Sequence, residues 1–330
     1  MSDPALRGVV AVGASAGGVE ALKDFVAGLP EGFGYAVLVA LHTAPGSPGV
    51  LGRILDRCGP LSAATAHHGE PLRPGRVYVA VPDRHIMVDD RRVVLSRGPS
   101  EGRHRPAINP LFRSVALHHG PRGVGIVLSG VLDDGVSGLG AVHDRGGLTV
   151  VQDPDEALYS DMPLNALAAV PVDHTLKAAE MGAMLSNRPW PLGAVTDLPP
   201  DPSLEMEQRI AMGSPYASSG ATQLGPPSGY SCPDCNGGLV EVGPGNYRCR
   251  VGHAWTPNAL FDAWDSESEN ALSMAVRSLE EKARLARHLA GTVSPGMLQR
   301  RYAEIADEGD AAVEVLRARL DRAREEMDGE

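Results

Sequence analysis

Three polar side chains stand just past apolar runs in the first 140 residues: Ser15, His42 and Asp134. A serine hydroxyl is a poor nucleophile until a base takes its proton. An imidazole can take it near neutral pH, and a carboxylate can fix the imidazole tautomer and stabilise the imidazolium. Ser15 lies in Gly13-Ala14-Ser15-Ala16-Gly17-Gly18, whose small residues permit a sharp strand-to-helix turn. Backbone N–H groups at the start of the next helix, that of Ala16 first, would point toward a developing oxyanion. Each residue alone has a plainer reading. Ser15 could cap a helix, His42 could be a satisfied structural histidine, and Asp133 and Asp134 could be turn carboxylates before Gly135. What favours chemistry is that all three follow predicted strands of one domain, since ligands of open α/β sheets bind outside the carboxyl ends of the strands.

A second constellation lies far downstream. Cys232, Cys235, Cys249 and His253 are spaced C-x2-C-x13-C-x3-H, which brings three soft thiolates and an imidazole into reach of one tetrahedral metal. The glycines between the two knuckles suit tight turns. The pattern predicts a structural zinc, because four protein ligands leave no open position for catalysis. A metal-free remnant and a redox pair are the other readings of such cysteines. Zinc ribbons can bind nucleic acid, but this one offers little base beyond Arg248 and Arg250, so protein contact or stability is expected instead. Cys58 stands apart and reads as a small buried hydrophobe. The pairs His67-His68 and His118-His119 have no neighbouring cysteine or paired carboxylate and carry no metal expectation.

The elements that must position these groups follow from the apolar pattern. Val9 to Val12, Tyr35 to Leu41 and Gly123 to Ser129 are continuous apolar runs, and Leu148 to Gln152 is another. Such strands, unlike alternating ones, belong to a sheet covered on both faces by helices. Arg76 to Val81 and Arg92 to Ser96 are shorter strand candidates. Val19 to Leu29 and Val136 to Asp144 have helical spacing. The fold class is therefore α/β, a doubly wound and mostly parallel sheet over about residues 6–186. Residues 187–230 are rich in Pro, Gly and Ser and read as a linker. Residues 231–264 read as a small zinc-ribbon-like unit. In residues 265–330, Leu272, Val276, Leu279, Ala283, Ala286 and Ala290 form one apolar stripe. Tyr302, Ala306, Gly309, Val313, Leu316, Leu320, Ala323 and Met327 form a second, after the break at Pro295. Two such helices make a hairpin, or a coiled coil that joins homo- or hetero-oligomers.

Composition narrows the function classes. The 330 residues carry 41 acids against 30 bases, a formal net charge of −11, which argues against a nucleic-acid binder held by phosphate contacts. No apolar run approaches the roughly 20 residues needed to cross a bilayer, so no membrane insertion is expected. The first residues lack the apolar core of a secretory signal, and four cysteines do not suggest a disulfide scaffold. A cytoplasmic chain is expected. A dinucleotide fingerprint fails because Ser15 stands where its second glycine belongs.

Several spaced motifs, in order, resemble one family. Val12-Gly13-Ala14-Ser15-Ala16-Gly17-Gly18, then Leu41-His42, then Arg103-His104-Arg105-Pro106 with Leu111-Phe112-Arg113-Ser114-Val115-Ala116, then Leu128-Ser129-Gly130-Val131-Leu132-Asp133-Asp134-Gly135, and later Asp161-Met162-Pro163, are similar to the catalytic domain of chemotaxis protein-glutamate methylesterases of the CheB type. The resemblance implies a triad of Ser15, His42 and Asp134 that hydrolyses glutamyl methyl esters on chemoreceptor-type proteins, with glutamine deamidation as a possible second reaction and no catalytic cofactor. Many members have Gln where this chain has Leu41, and Met-Gly where it has Val131-Leu132, so the pocket differs. Well-known members carry an N-terminal receiver domain. A strand beginning by residue 9 leaves no room for one, so a stand-alone form is expected. Arg105 could dock an acidic receptor segment or make a structural ion pair. The rival reading is a catalytically silent protein that docks a receptor, and a general carboxylesterase lacks its G-x-S-x-G elbow.

Overall fold

The computed structural model describes residues 6–188, 199–214, 225–243 and 245–328. Seven parallel strands form one sheet: β1 (Gly8–Ala14), β2 (Tyr35–Leu41), β3 (Ser62–Thr65), β4 (Arg76–Val79), β7 (Gly123–Val127), β8 (Leu148–Gln152) and β9 (His174–Leu176). Their order is β3-β4-β2-β1-β7-β8-β9. A separate antiparallel hairpin pairs β5 (His85–Asp89) with β6 (Arg92–Ser96).

Every residue of β1, β2, β7 and β8 is buried, which is why these segments read as unbroken apolar runs. Side chains still alternate between faces. Val10, Val12 and Ala14 join a core under α1 (Gly18–Ala27), whereas Val9 and Ala11 join the opposite core with Ile108, Leu111, Phe112 and Val115. Those last residues belong to α3 (Ile108–His119). α4 (Val136–Asp144) and α5 (Asp161–Ala169) complete that second layer, and α2 (Leu51–Leu55) and α6 (Met181–Asn187) join the first.

The stretch 187–230, expected as a linker, contains a helix, α7 (Pro202–Ala211). The Asp201 carboxylate accepts the Leu204 N–H and Pro202 occupies the first turn, a start signal hidden in a Pro-rich context. The helix is fixed to the β5-β6 hairpin: Gln208 donates to the Val88 carbonyl and Ser96 donates to that of Ala211. The expected linker segments 189–198 and 215–224 lie outside the described residues.

Residues 227–255 form a four-stranded antiparallel ribbon, β10 (Pro227–Ser231), β11 (Gly238–Glu241), β12 (Tyr247–Cys249) and β13 (Ala254–Trp255). It belongs to the same compact unit as the α/β sheet, which runs to Ala259.

The second unit holds two long helices, Pro257–Thr292 and Met297–Asp328, except for the first turn of the former. They pair antiparallel through Val276, Val313 and Leu320, with Leu272, Leu279 and Leu316 alongside, and with Arg287–Asp310 and Arg317–Glu280 ion pairs on the flanks. Gly309, which costs helix propensity of about 1 kcal/mol, faces Ala283 of the other helix. A Cβ there would lie 3.1 Å from that of Ala283.

Candidate active site

The strand order explains how residues 15, 42 and 134 meet. β2, β1 and β7 are consecutive neighbours, and the three residues follow their carboxyl ends. The chain runs from β1 to β2 on one side and later returns to β7 on the other side of β1, a reversal that opens a crevice there. Ser15 is held by its own N–H, which donates to the Ser129 carbonyl, and the His42 N–H donates to the Ala14 carbonyl.

The side chains form a continuous line. Ser15 Oγ is 3.0 Å from His42 Nδ1, and His42 Nε2 is 2.7 Å from Asp134 Oδ2. Asp134 also accepts the N–H of Ile108 on Oδ2 and that of Asn109 on Oδ1. These open the N-terminal turn of α3, where the helix dipole favours a carboxylate. Burial works to raise the Asp134 pKa, but the His42 hydrogen bond and charge and the Ile108 N–H outweigh it and hold it at about 2. The carboxylate therefore stays ionised and keeps a proton on Nε2, which leaves the Nδ1 lone pair facing Ser15.

Two glycines make the turn at Ser15 possible. Gly17 has φ +69°, and a Cβ on Gly130 would lie 2.1 Å from the Met162 sulfur and 2.9 Å from Ser15 Cβ. Among the described residues none accepts the Ala16 N–H, while the Ala16 carbonyl accepts from the buried Ser129 hydroxyl. Leu132 stands at φ +62°, a left-handed conformation that a glycine would adopt without strain. Leu158 and Tyr159, both exposed apolar side chains, lie against Gly17, two residues from Ser15.

Sequence reasoning gave His104 no role of its own. Its ring stacks on that of His42, with centroids 3.6 Å apart and planes 5° from parallel. Burial, and then the adjacent His42, push its pKa down to about 4, so it is neutral near pH 7. The motif Arg103-His104-Arg105-Pro106 was its only signal. Arg105 is engaged in a fork with Asp83 Oδ1, at 2.9 and 2.7 Å, and donates to the Gly98 carbonyl.

The ribbon gathers the four residues expected to hold a metal. The candidate ligand atoms of Cys232, Cys235, Cys249 and His253 all lie within 4.8 Å of one another. Cys232 Sγ and Cys249 Sγ are each 3.6 Å from His253 Nδ1, and Cys235 Sγ is 3.6 Å from Cys249 Sγ. A tetrahedral zinc with sulfur arms of about 2.3 Å spaces its sulfurs by about 3.8 Å, so the donor set fits. Trp255 Nε1–H donates to Cys232 Sγ at 3.3 Å, and Asn236 at φ +56° closes the first knuckle.

The ribbon also borders the triad. One cavity is lined by His42, His104 and Asp134 from the sheet side and by Tyr247, Trp255 and Thr256 from the ribbon side. A second, open cleft runs from His42 and Thr43 to Asp234 and His253. Nothing in the local sequence signals this placement.

A profile of the CheB methylesterase family matches residues 10–185, more than half of the chain. Similar proteins include a protein-glutamate methylesterase/protein-glutamine glutaminase of Geobacter metallireducens, 34% identical over 177 residues that span 52% of this chain and 48% of that one. A putative protein of the same name from Leptospira interrogans is 32% identical over 176 residues, 53% of this chain and 91% of its own length. One from Anaeromyxobacter dehalogenans is 41% identical over 170 residues, 51% of this chain and 50% of its own. The chain thus spans about half the length of several relatives. The CheB methylesterase catalytic domain of Thermotoga maritima superposes with TM-score 0.52 at 26% identity, covering 54% of this chain and 96% of that domain. The matches to these relatives cover little more than half of the chain.

Proposed function

The chain belongs to the CheB methylesterase family, and on that footing we propose that it is a protein-glutamate methylesterase in which Ser15 is the nucleophile, His42 the general base and Asp134 the orienting carboxylate. The observation that carries this reading is the Ser15 Oγ–His42 Nδ1–His42 Nε2–Asp134 Oδ2 line, with separations of 3.0 and 2.7 Å. His42 Nδ1 takes the hydroxyl proton as Ser15 Oγ attacks the ester carbonyl. The negative charge on the carbonyl oxygen faces backbone N–H groups, with that of Ala16 as the candidate donor. His42 then passes its proton to the departing methoxide, which leaves as methanol. Water, deprotonated by His42, attacks the glutamyl-Ser15 ester, and collapse frees the glutamate carboxylate and restores the Ser15 hydroxyl. A glutamine side chain follows the same course with ammonia as the leaving group.

The substrate class is a methylated receptor of chemosensory type, as the relatives' names suggest, and the place of action is the cytoplasm. No described helix is long and apolar enough to cross a membrane. Cys232, Cys235, Cys249 and His253 hold a structural zinc. When bound it supplies a cross-link between the two knuckles and no open coordination position. The C-terminal helices are offered as a surface for oligomers.

The test is methanol release from a methylated receptor peptide. Wild type should release it, and Ser15→Ala should lower kcat by at least about 10³-fold with the fold intact. Equal rates would remove Ser15 from the mechanism.

A further inference from the structure

We propose that the metal-holding ribbon is a buttress that positions His42 and Asp134, so that metal loading sets the rate of a hydrolysis in which the metal takes no part. The inference rests on the triad reading above.

Ala254 follows the ligand His253, and it is bound through its backbone to the loop before His104. The Gly102 N–H donates to the Ala254 carbonyl at 2.8 Å, and the Ala254 N–H donates to that of Ser100 at 3.3 Å. Asp234 lies between the ligands Cys232 and Cys235. It accepts the Ser100 hydroxyl at 3.0 Å and pairs with Arg103 at 3.7 Å. The Arg103 guanidinium also lies 5.9 Å from the Trp255 ring centroid. This tethered loop ends at His104, whose ring lies flat against His42. The ribbon thus reaches the base through one intervening imidazole.

Two further ties reach the carboxylate. Arg248 precedes the ligand Cys249 and donates to Glu101 and Glu207, both at 3.1 Å. Glu101 also receives Arg113 of α3, the helix whose first N–H groups hold Asp134. Thr256 donates to Asp133 Oδ1 at 2.6 Å, next to Asp134 in the chain. Thr256 and Arg248 are therefore positioning residues: they touch no reacting atom and act through their neighbours.

A metal would staple the ribbon, whose own core is small. Its buried apolar side chains are few, chiefly Leu239, Val240 and Trp255, and units this small normally need a staple. Loss of the staple frees the Ser100–Gly102 and Asp133 tethers together. A misplacement of about 1 Å in a catalytic group can cost about 10²-fold in rate.

The test uses the full chain depleted of metal by a chelator and then refilled with one equivalent of zinc. Three readouts are compared: hydrolysis of p-nitrophenyl acetate, methanol release from the methylated peptide, and backbone hydrogen exchange. Depletion should lower kcat for both esters at least tenfold and raise exchange in residues 99–105 and 130–135 as well as in the ribbon, all reversed by zinc. Thr256→Val should keep its zinc, raise exchange at 130–135 and lower kcat severalfold, whereas Cys58→Ser should change nothing. Unchanged rates in metal-free protein, or an exchange increase confined to residues 227–256, would overturn the proposal. If no form of the protein hydrolyses either ester, the triad reading fails, and the exchange pattern alone decides whether the ribbon holds the two loops.

Discussion

Replacing Asp134 with Asn keeps the shape of the side chain and removes its charge. In the native protein three N–H groups converge on two carboxylate oxygens: His42 Nε2 and Ile108 N on Oδ2, both at 2.7 Å, and Asn109 N on Oδ1 at 3.1 Å. An amide has one oxygen, so its NH₂ must face at least one of these donors. If the oxygen takes the Oδ2 position, Asn109 N–H loses its acceptor and a developing imidazolium loses its counter-charge. If the amide flips, His42 must accept on Nε2, and its proton moves to Nδ1 where Ser15 needs a lone pair. The carboxyl pKa of about 2 against an ordinary 3.8 corresponds to about 2 kcal/mol favouring the ionised form. The tautomer penalty and the lost imidazolium stabilisation act only in turnover, and a comparable replacement in a Ser-His-Asp enzyme costs about 10⁴-fold. Asp134→Asn should therefore lower kcat for ester hydrolysis by about 10³- to 10⁴-fold, or about 4–5.5 kcal/mol, with KM changed less than threefold. Stability at neutral pH should fall by about 2 kcal/mol. Steady-state methanol release and urea unfolding measure the two effects. A kcat within tenfold of wild type would refute the assignment of Asp134 as the group that sets the His42 tautomer.

The buried charges and imidazoles give two further expectations. Glu101 and Glu207 balance Arg113 and Arg248, and the side chains of Glu101, Arg113 and Arg248 are 4, 5 and 3% exposed. Glu101→Gln leaves one uncompensated buried cation and should cost about 3–5 kcal/mol in urea unfolding. The double variant with Arg248→Met should recover much of it, and a loss below about 1 kcal/mol would contradict the pairing. His104 and His119 are both pushed down to about 4, by burial first and then by the neighbouring His42 and His118. The unfolded chain therefore binds more protons between about pH 6.5 and 4, so stability is full above that window and falls as pH drops through it. Unfolding free energy should be lower at pH 5 than at pH 7.5 by about 2 kcal/mol per histidine. A flat profile would mean that these rings are not held neutral.

Much of the fold was legible because burial on both faces writes itself as continuous apolar runs. β2, β6, β8 and α4 begin and end at the residues the sequence pattern indicates, and Gly34, Gly147 and Gly135 mark the starts of three of them. α3 is harder to read: its first nine residues are all buried, the polar Asn109, Arg113 and Ser114 among them, so residue polarity does not mark its buried face. α7 was hidden by the prolines around it. At the site, Ser15, His42 and Asp134 could be picked out because each follows an apolar strand, at once or within a short turn. Their convergence depends on β2, β1 and β7 being neighbours, which is a tertiary fact. His104 and the ribbon contacts were invisible. Glu101 and Arg248 meet across 147 residues, and no local pattern encodes such a pair. Leu132 at positive φ was likewise unreadable from its type, since leucine rarely adopts that conformation.

In the proposed mechanism the reaction passes through an acyl group on Ser15 Oγ. Rapid acid quench of turnover with an isotopically labelled methylated glutamyl peptide, followed by peptide mass mapping, tests it directly. A glutamyl adduct on the peptide that contains Ser15, absent in Ser15→Ala, is the predicted result. Turnover with no adduct, or an adduct on a different residue, would contradict the account.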